Sequence, residues 1–274
     1  MKKTKELLKK LNQKIDQVKR SKEFKEILEF FAKFHSYSFR NQILIQMQKP
    51  NASYVAGYKQ WQDKFNRQVK KGEQGIAILA PQKYKTTETK LVEGKQSNAN
   101  IMEEKIEEEV TKIYFKTVYV FDISQTEGES IPEVNINIKN TCSEALEPLK
   151  EFAETKDIDL KFKSFDRDSY KGYSKLGEIV INSDLNQTEQ ASTLVHELGH
   201  ELLHETREKR KELTTEIKEM EAESVSFVVM DSLGVEIGSD RYLALYKKTY
   251  NLKRSLKRIY TVSKEIMDYL EIEK

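Results

Sequence analysis

Three of the four histidines in the sequence lie within nine positions, in the segment Thr193 to Glu205. His196, Glu197 and His200 form the pattern H-E-x-x-H. On a helix, side chains four residues apart lie about 6 Å apart along the axis and about 40° apart around it. Both imidazoles can therefore reach one metal ion, and the spacing predicts a Zn²⁺ site with His196 and His200 as ligands.

Glu197 is predicted to be the general base of this site. Zinc lowers the pKa of a bound water molecule to about 7, and a neighbouring carboxylate can accept the proton as the water attacks a carbonyl. The pattern therefore predicts hydrolysis of a protein or peptide. An amphipathic helix that carries histidines by chance is the alternative interpretation, and the clustering of the histidines argues against it.

A zinc site with two histidine ligands needs a third protein ligand, and the helix predicted for Glu212 to Leu233 offers candidates. Glu219 and Glu223 lie on or beside the helix face of the small residue Ala222, which can approach the histidine helix closely. Glu221 points away from that face and is expected at the surface. We predict Glu219 as the ligand and Glu223 as the group that orients a ligand imidazole, with the reverse order open.

Other residues near the motif have weaker claims to a role in the site. His204 is eight residues from His196, about 12 Å along one helix, so the two cannot bind the same ion. His204 is expected to pack, to cap the helix or to line the cleft. Tyr170 and Tyr173 could each donate to an oxyanion, but no spacing argument selects either.

Composition limits where the protein works. No stretch approaches the 18 consecutive apolar residues of a membrane span, and the N-terminus MKKTKELLKK lacks the apolar region of a secretory signal. The sequence has one cysteine, Cys142, so no internal disulfide can form. We therefore expect a cytoplasmic protein without a membrane partner.

Positive charge is concentrated in the first third of the chain. Residues 1–90 carry 21 Lys+Arg against 8 Asp+Glu, a net charge of +13, which leaves −11 for residues 91–274. A basic domain followed by an acidic one indicates two different partners, of which the first is a nucleic acid.

The segment after Asn51 interleaves aromatic residues with cations, a pattern typical of proteins that bind single-stranded nucleic acid. Bases stack on the rings of such proteins while Lys and Arg contact the phosphates. In the alternative interpretation the rings pack in a core and the cations are merely solvated. The candidate DNA-binding residues are Arg40, Tyr58, Lys59, Trp61, Arg67, Lys70 and Lys71.

Periodicity predicts an α+β protein, and the charge split predicts two domains. They are a helical N-terminal domain with a small sheet and a C-terminal domain that the H-E-x-x-H helix marks as zincin-like. The boundaries are residues 1–126, a linker at 127–142, and residues 143–274. Predicted N-terminal elements are helices near Leu7–Val18, Phe24–Phe34 and Ser38–Gln48, strands at Ile76–Pro81 and Lys112–Ile123, and a polar loop at 83–109.

The predicted C-terminal elements alternate strands and helices around the histidine motif. They are a helix near Glu147–Glu154, strands at Leu160–Phe165 and Gly177–Asn182, the histidine helix, the helix Glu212–Leu233, and a helical hairpin that ends near Leu270. Asn186 and Glu189 are predicted to form the capping box that opens the histidine helix. Pro148 suits the first turn of the first of these helices.

The segment HELGHELLHE, followed by E-M-E-A-E-S, resembles the zinc peptidase domain of the ImmA/IrrE group. In that group a Glu in an E-x-x-A pattern is the third metal ligand. By position, the resemblance assigns this role to Glu219, in agreement with the helical phase. The residue after Ala222 is Glu223, whereas the group often has Asn or Asp there.

The segments SFRNQILIQMQKPNASYVAGYKQWQ, VKKGEQGIAILAP and VFDISQTEG resemble the ArdC N-terminal domain. That domain is described as a binder of single-stranded DNA in antirestriction proteins of mobile elements. The two resemblances together cover nearly the whole chain, except the polar segment near residues 84 to 111. They imply a basic domain that binds single-stranded DNA and a zinc peptidase-like domain after it.

The leading hypothesis is an ArdC-like antirestriction protein of a bacterial mobile element, with a basic DNA-binding domain and a zinc-dependent peptidase-like domain. A second hypothesis is a regulatory zinc protease that cleaves a repressor-like protein without binding DNA. In a third, zinc serves only structure, and the function needs the metal ligands but not Glu197.

Overall fold

The computed structural model of the chain describes residues 2–17, 21–93, 103–130, 142–165, 171–204, 213–235 and 251–272. It is a mixture of helices and small sheets, as predicted. The N-terminal half opens with three helices, which agree with the apolar periodicity. They are α1 (Lys2–Gln17), α2 (Ser21–Lys33) and α3 (Phe39–Gln48).

The rest of the N-terminal half contains two small antiparallel sheets, with strand orders β1-β4-β3 and β2-β5. A short helix, α4, follows β1 and was not predicted from the sequence. The elements are β1 (Val55–Gly57), α4 (Tyr58–Phe65), β2 (Arg67–Val69), β3 (Ile76–Glu93), β4 (Glu103–Asp122), a 3₁₀ turn (Ile123–Gln125) and β5 (Thr126–Gly128).

The polar segment 83–109 is not a loop in its described part, so that prediction is wrong. β3 and β4 pair without interruption from Ile76 opposite Val120 to Glu93 opposite Glu103. Ion pairs between the strands, such as Lys85 with Glu109 at 2.9 Å, lie along this two-stranded ribbon. Much of the ribbon is exposed on both faces, so it lacks the alternation of apolar and polar residues that reveals a half-buried strand.

Two amide side chains of α3 cover the outer edge of β3. Asn41 accepts from the Leu79 N–H at 2.9 Å and donates to the Leu79 carbonyl at 3.0 Å. Gln48, seven residues later, makes the same pair of bonds with Ala77, at 3.0 and 2.9 Å. Each amide thus takes the place of a residue of a neighbouring strand and satisfies backbone groups of an edge strand.

The C-terminal half holds a three-stranded sheet of order β6-β8-β7, in which β8 is parallel to β6 and antiparallel to β7. Helices accompany the sheet in the order expected from the sequence. The elements are α5 (Cys142–Thr155), β6 (Asp159–Lys163), β7 (Gly172–Ser174), β8 (Glu178–Asn182), α6 (Gln187–His204), α7 (Thr215–Ser232) and α8 (Leu252–Tyr269).

Two details of the C-terminal helices differ from the predictions. α5 begins at Cys142, so Pro148 lies inside the helix and not in its first turn. Apolar residues before Pro148, among them Ala145 and Leu146, are buried and hold the first turns in place. The predicted terminal hairpin is described only as α8, because residues 236–250 lie outside the described ranges, as do residues 131–141 of the predicted linker.

One hydrophobic core joins the two halves of the chain. Its buried residues come from α1, α2 and α3 as well as from α5, α6, α7 and α8. Tyr260 of α8 illustrates the contact, because its ring packs on Phe31 and Phe39 and its hydroxyl donates to the Tyr37 carbonyl at 2.9 Å. Among the described helices, none is both long and apolar enough to cross a membrane.

Candidate metal centre

The histidine motif lies in the second half of α6, whose start is capped by Asn186. Asn186 Oδ1 accepts from the Glu189 N–H at 3.0 Å, as in the predicted capping box, but the Glu189 carboxylate accepts from the Asn186 side-chain Nδ2 at 2.8 Å, where a capping box uses the backbone N–H. A Cβ atom on Gly199 would lie 3.1 Å from the Ala222 Cα. α6 therefore approaches α7 to near backbone contact, which places the motif opposite the acidic residues of α7.

His196, His200 and Glu219 form a cluster that can hold a metal ion. One ligand atom from each lies within 4.8 Å of the others. The two Nε2 atoms are 3.1 Å apart, and the Glu219 carboxylate oxygens lie 3.6 Å from His196 Nε2 and 3.4 Å from His200 Nε2. Two imidazoles and one carboxylate are a donor set that suits a divalent cation, Zn²⁺ included.

Glu223 lies on the opposite side of the His196 ring from Glu219. Its carboxylate is 3.7 Å from His196 Nδ1, while Glu219 faces Nε2. Burial lowers the pKa of His196, but hydrogen bonds to Glu219 and Glu223 outweigh it and raise the pKa to about 10. A carboxylate at Nδ1 leaves Nε2 of the same ring directed at His200 and Glu219, which is compatible with the predicted role of Glu223.

Glu219 is held in its charged form by the histidines. Hydrogen bonds to His196 and His200 depress the pKa of its carboxyl well below the ordinary value, against the opposing effect of burial. An ionised carboxylate is the form that binds a metal ion. The cluster therefore presents its acidic member ready for coordination.

Glu197 is buried beside the cluster, with 7% of its surface exposed. Burial raises the pKa of its carboxyl, opposed by the charges of His196 and His200 and by a hydrogen bond from the Ser174 hydroxyl. Ser174 lies at the end of β7, and no feature of the sequence pointed to it. A carboxylate in such surroundings takes up a proton readily, as a general base requires.

Glu221 is fully buried, so the expectation that it lies at the surface is wrong. Its carboxylate is 3.1 Å from His204 Nε2 and also binds the Arg258 guanidinium and the Ser255 hydroxyl. The helical phase was judged against α6 alone, but α7 also packs on α2 and α8. His204, which is equally buried, belongs to this network and not to the metal cluster.

Trp61, a candidate for stacking on DNA bases, is wholly buried. Its indole N–H donates to the Phe121 carbonyl at 2.9 Å, and its ring packs against Tyr54 and Phe65. A base cannot reach this ring, so the assignment of Trp61 to DNA binding is wrong. Apolar spacing in α4 would have indicated the burial had the helix been recognised.

Arg67, a second candidate, holds the β2-β5 sheet together. Its Nε donates to the Thr126 hydroxyl at 2.8 Å, and its other nitrogens donate to the backbone carbonyls of Thr126, Gly128 and Glu129. These bonds use four of the five N–H groups with which a guanidinium would bind a phosphate. The structure therefore gives Arg67 a structural role in place of the predicted contact with DNA.

The other candidates for DNA binding lie at the surface. Tyr58, Lys59, Lys71 and Arg40 are exposed, and exposed Lys70 donates to the Ser124 carbonyl at 3.1 Å. The Tyr58 ring lies 6.3 Å from the Phe121 ring, and the Arg40 guanidinium lies 5.9 Å from the Phe115 ring. Tyr173 of β7 is partly buried, and Tyr170 falls outside the described residues.

Comparison with known protein families assigns both halves of the chain. Residues 2–121 match the N-terminal domain of anti-restriction factor ArdC. Residues 152–269, which include His196, His200 and Glu219, match the IrrE N-terminal-like domain of the Peptidase_M78 family. The chain thus consists of a basic ArdC-type domain followed by a metallopeptidase-like domain with a candidate site for a divalent metal. Together the two matches support an ArdC-like protein, as the motifs predicted.

Among relatives, an uncharacterized protein of Bacillus anthracis, pXO2-81, is 28% identical over 258 residues. The match covers 81% of this chain and 43% of that protein, so this chain spans less than half of its relative. Two crystal structures of antirestriction ArdC from the R388 plasmid are also similar. The metal-free form has a TM-score of 0.43 and 19% identity, with 86% of this chain and 83% of that chain covered. The Mn(II)-bound form has a TM-score of 0.42 and 18% identity, with 86% of each chain covered.

Proposed function

We propose that the chain is an antirestriction-type protein that binds single-stranded DNA through its N-terminal half and hydrolyses peptide bonds at a zinc centre. His196, His200 and Glu219 are the proposed zinc ligands, and Glu197 is the proposed general base. The observation that carries the enzymatic part is the convergence of these three ligands beside a buried carboxylate. The match to the ArdC domain supports the DNA-binding part.

The roles of the side chains follow from their positions. A bound zinc ion supplies a Lewis acid that polarises a carbonyl and lowers the pKa of a water molecule. Glu197 accepts the proton of the attacking water and transfers it to the leaving amine. Ser174 holds the Glu197 carboxylate by a hydrogen bond, and Glu223 orients the His196 ring.

The test of the enzymatic part compares Glu197→Gln with the wild-type chain, both loaded with one equivalent of zinc. Because the base contributes about 10² to 10⁴ to the rate, we expect the variant to lose at least about 100-fold in hydrolysis of fluorogenic casein. Zinc affinity, measured by competition with a chromophoric chelator, should stay within about twofold, since Glu197 is not a ligand.

Two outcomes would contradict this proposal. Equal hydrolysis by both proteins would remove Glu197 from the reaction. No hydrolysis by the wild type, together with unfolding of His200→Ala, would show a structural metal site.

The DNA-binding part is measured separately, by titration of a fluorescent single-stranded oligonucleotide and its duplex. Casein hydrolysis without any binding of DNA would favour a regulatory protease.

A further inference from the structure

One face of the β3-β4 ribbon carries exposed aromatic rings near the body of the protein. Side chains alternate between the faces of a strand, so the odd-numbered residues of β4 share one face. Tyr119 and Phe115 are each 43% exposed on it, and Ile113 is 58% exposed. The even-numbered Val118 and Val120 point the other way, into the apolar cluster with Phe30 and Phe34. The exposed rings therefore face away from that cluster.

Cations from three elements surround these rings. Lys3 of α1 places its Nζ 5.0 Å from the centre of the Tyr119 ring, and Arg40 of α3 lies 5.9 Å from the Phe115 ring. Lys83 of β3 is exposed and is the cross-strand partner of Ile113, so it lies on the same face. We name Tyr119, Phe115 and Ile113, with Lys3, Arg40 and Lys83, the aromatic face.

The charge of the ribbon changes sign along its length. From Thr111 to Phe121 of β4, and from Ala77 to Lys85 of β3, the residues that share this face include no carboxylate. Further out, the same face carries Glu109 and Glu107. A polyanion is therefore attracted to the part of the ribbon near the body and repelled beyond it.

We propose that the aromatic face holds single-stranded DNA, with bases stacked on Tyr119 and Phe115 and with phosphates at Lys3, Arg40 and Lys83. This inference rests on the proposed function and specifies the surface that performs it. Rings four residues apart on a strand are separated by about 14 Å, so an extended chain can place bases on both. A duplex keeps its bases stacked and cannot do so.

The aromatic face also unites exposed residues that lie far apart in the sequence. Tyr58 is 56% exposed, and its ring contacts Phe121, the next residue after Tyr119 on this face. Tyr58 therefore extends the row of rings at the end near the body. Trp61 and Arg67, which lie close to Tyr58 in the sequence, are used for packing and for the β2-β5 sheet, so that segment alone is a poor DNA site.

The opposite face of the ribbon provides a matched control. Tyr84 and Tyr114 are as exposed as Tyr119 and Phe115, but their rings contact each other at 5.8 Å. Lys112 on that face is neutralised by Glu88, 2.5 Å away. Exposure is therefore matched between the two pairs of rings, whereas Lys3 and Arg40 lie over the two rings of the proposed side.

The experiment titrates the full-length chain with a fluorescent oligo(dT) of 20 nucleotides at several salt concentrations. Because each stacked base contributes through its ring, Tyr119→Ala and Phe115→Ala should each raise Kd about 10-fold. The double variant Tyr84→Ala/Tyr114→Ala should stay within about twofold of wild type. Lys83→Gln should weaken binding and reduce the salt slope by about 0.7.

Two further measurements do not depend on variants that lose a ring and could misfold: a cross-link on the wild-type chain and the conservative variant Phe115→Trp. An oligonucleotide with 5-bromodeoxyuridine is cross-linked to the wild-type chain by light, and the attached peptides are identified. We expect cross-links at Phe115 and Tyr119, and Phe115→Trp should retain the affinity of wild type. Cross-links confined to residues 59–71, or a loss of binding only in Tyr84→Ala/Tyr114→Ala, would overturn the inference.

The outcomes separate this inference from the proposed function. If the wild type does not bind oligo(dT), both this inference and the DNA-binding part of the proposed function fail. If the wild type binds and Tyr119→Ala and Phe115→Ala bind equally well, DNA binding stands and only the assignment of the aromatic face is wrong. A change in sedimentation coefficient in these variants at constant Kd would show that the face contacts a second copy of the chain instead.

Discussion

Glu221 is a buried carboxylate whose partners come from two other helices. It binds His204 of α6 together with Arg258 and Ser255 of α8, and these hydrogen bonds hold its pKa below the ordinary value against the opposing effect of burial. A charge in such a position is stable only with all its partners present. Glu221 therefore links α7 to both α6 and α8.

Glu221→Ala should destabilise the chain by about 3–5 kcal/mol, because it leaves Arg258 without its buried partner. Urea denaturation at neutral pH measures the free energy of unfolding. Glu151→Ala, at an exposed position of α5, is the control and should change it by less than about 0.5 kcal/mol. Equal effects of the two substitutions would show that the network contributes nothing to stability.

Tyr37 links stability to high pH. Its hydroxyl donates to the Val55 carbonyl at 2.8 Å, and burial, with a smaller effect of Tyr54, raises its pKa to about 12. A raised folded-state pKa means that the stability is complete below pH 10, the ordinary value, and is lost as pH rises from 10 through 12. The loss is on the order of 2 kcal/mol, and Tyr37→Phe should lack it.

The measurement compares the free energy of unfolding at pH 9 and pH 11.5 in both proteins. The variant should be slightly less stable at pH 9, since it lacks one hydrogen bond, and should lose less stability between the two values. Identical pH dependence in wild type and variant would show that Tyr37 titrates normally in the folded chain.

Among single residues, the sequence predicted the members of the candidate metal site, because their selection depends only on local spacing. His196, His200 and Glu219 are selected by helical geometry and by the approach of one small-residue face, and the structure places them together. Burial depends on which elements pack around a residue, and the spacing of residues along the sequence carries no information about that packing. Glu221 and Trp61 were therefore assigned to the surface and to DNA contact, whereas both are buried.

The cluster of His196, His200 and Glu219 depends on the distance between α6 and α7 as much as on the three side chains themselves. Gly199 allows the two helices to approach, because a Cβ atom there would lie 3.1 Å from the Ala222 Cα. Gly199→Val should push the helices apart, with a cost of about 1–3 kcal/mol in stability. Zinc affinity should fall at least about 10-fold although every proposed ligand is retained.

Zinc affinity by chelator competition and urea denaturation check this expectation. Gly57→Val is the control, since a Cβ atom at Gly57 would meet nothing within 4 Å. Zinc affinity of Gly199→Val equal to that of the control would mean that the α6-α7 distance does not set the position of Glu219.

Among the secondary-structure elements, most helices were predicted from the sequence, whereas the β3-β4 ribbon was not. α1, α2, α6 and α7 carry apolar residues at helical spacing, a signal contained within each segment. The outer ribbon is stabilised by pairing between β3 and β4 and by ion pairs across them, both of which join residues far apart in the sequence. Its composition alone resembles that of a loop.

Across the whole molecule, a continuous core joins the basic half to the half with the metal cluster. α2 packs on α7, and Tyr260 of α8 contacts Phe31 and Phe39 of the N-terminal half. The division at residues 126 and 143 stays a prediction from composition. Periodicity indicates that a helix has an apolar face but not which helix covers it, so the shared core could not be predicted.

The shared core predicts that the described halves unfold together. Trp61 is the only tryptophan and reports on the N-terminal half, while circular dichroism reports on all helices. The two signals should give one coincident urea transition. Tyr260→Ala should lower the free energy of unfolding seen by Trp61 by about 2–4 kcal/mol, since it removes a ring from the junction.

Tyr269→Ala is the matched control for this experiment, because Tyr269 lies in the same helix but packs on Phe152 of the C-terminal half. It should have a smaller effect, since Tyr269 is 39% exposed. Two separate transitions in the wild type, or no response of Trp61 fluorescence to Tyr260→Ala, would show that the halves are thermodynamically independent.

The amides that cover β3 have a consequence for behaviour at high concentration. The run Ile76 to Leu79 is wholly apolar, and exposed edges of such strands recruit strands from other molecules into aggregates. Asn41 and Gln48 occupy the hydrogen-bonding groups of Ala77 and Leu79 from within the same chain. Because these backbone groups are already bonded, we expect residues 76–79 not to pair with strands of other molecules, although the run contains neither a charge nor a proline.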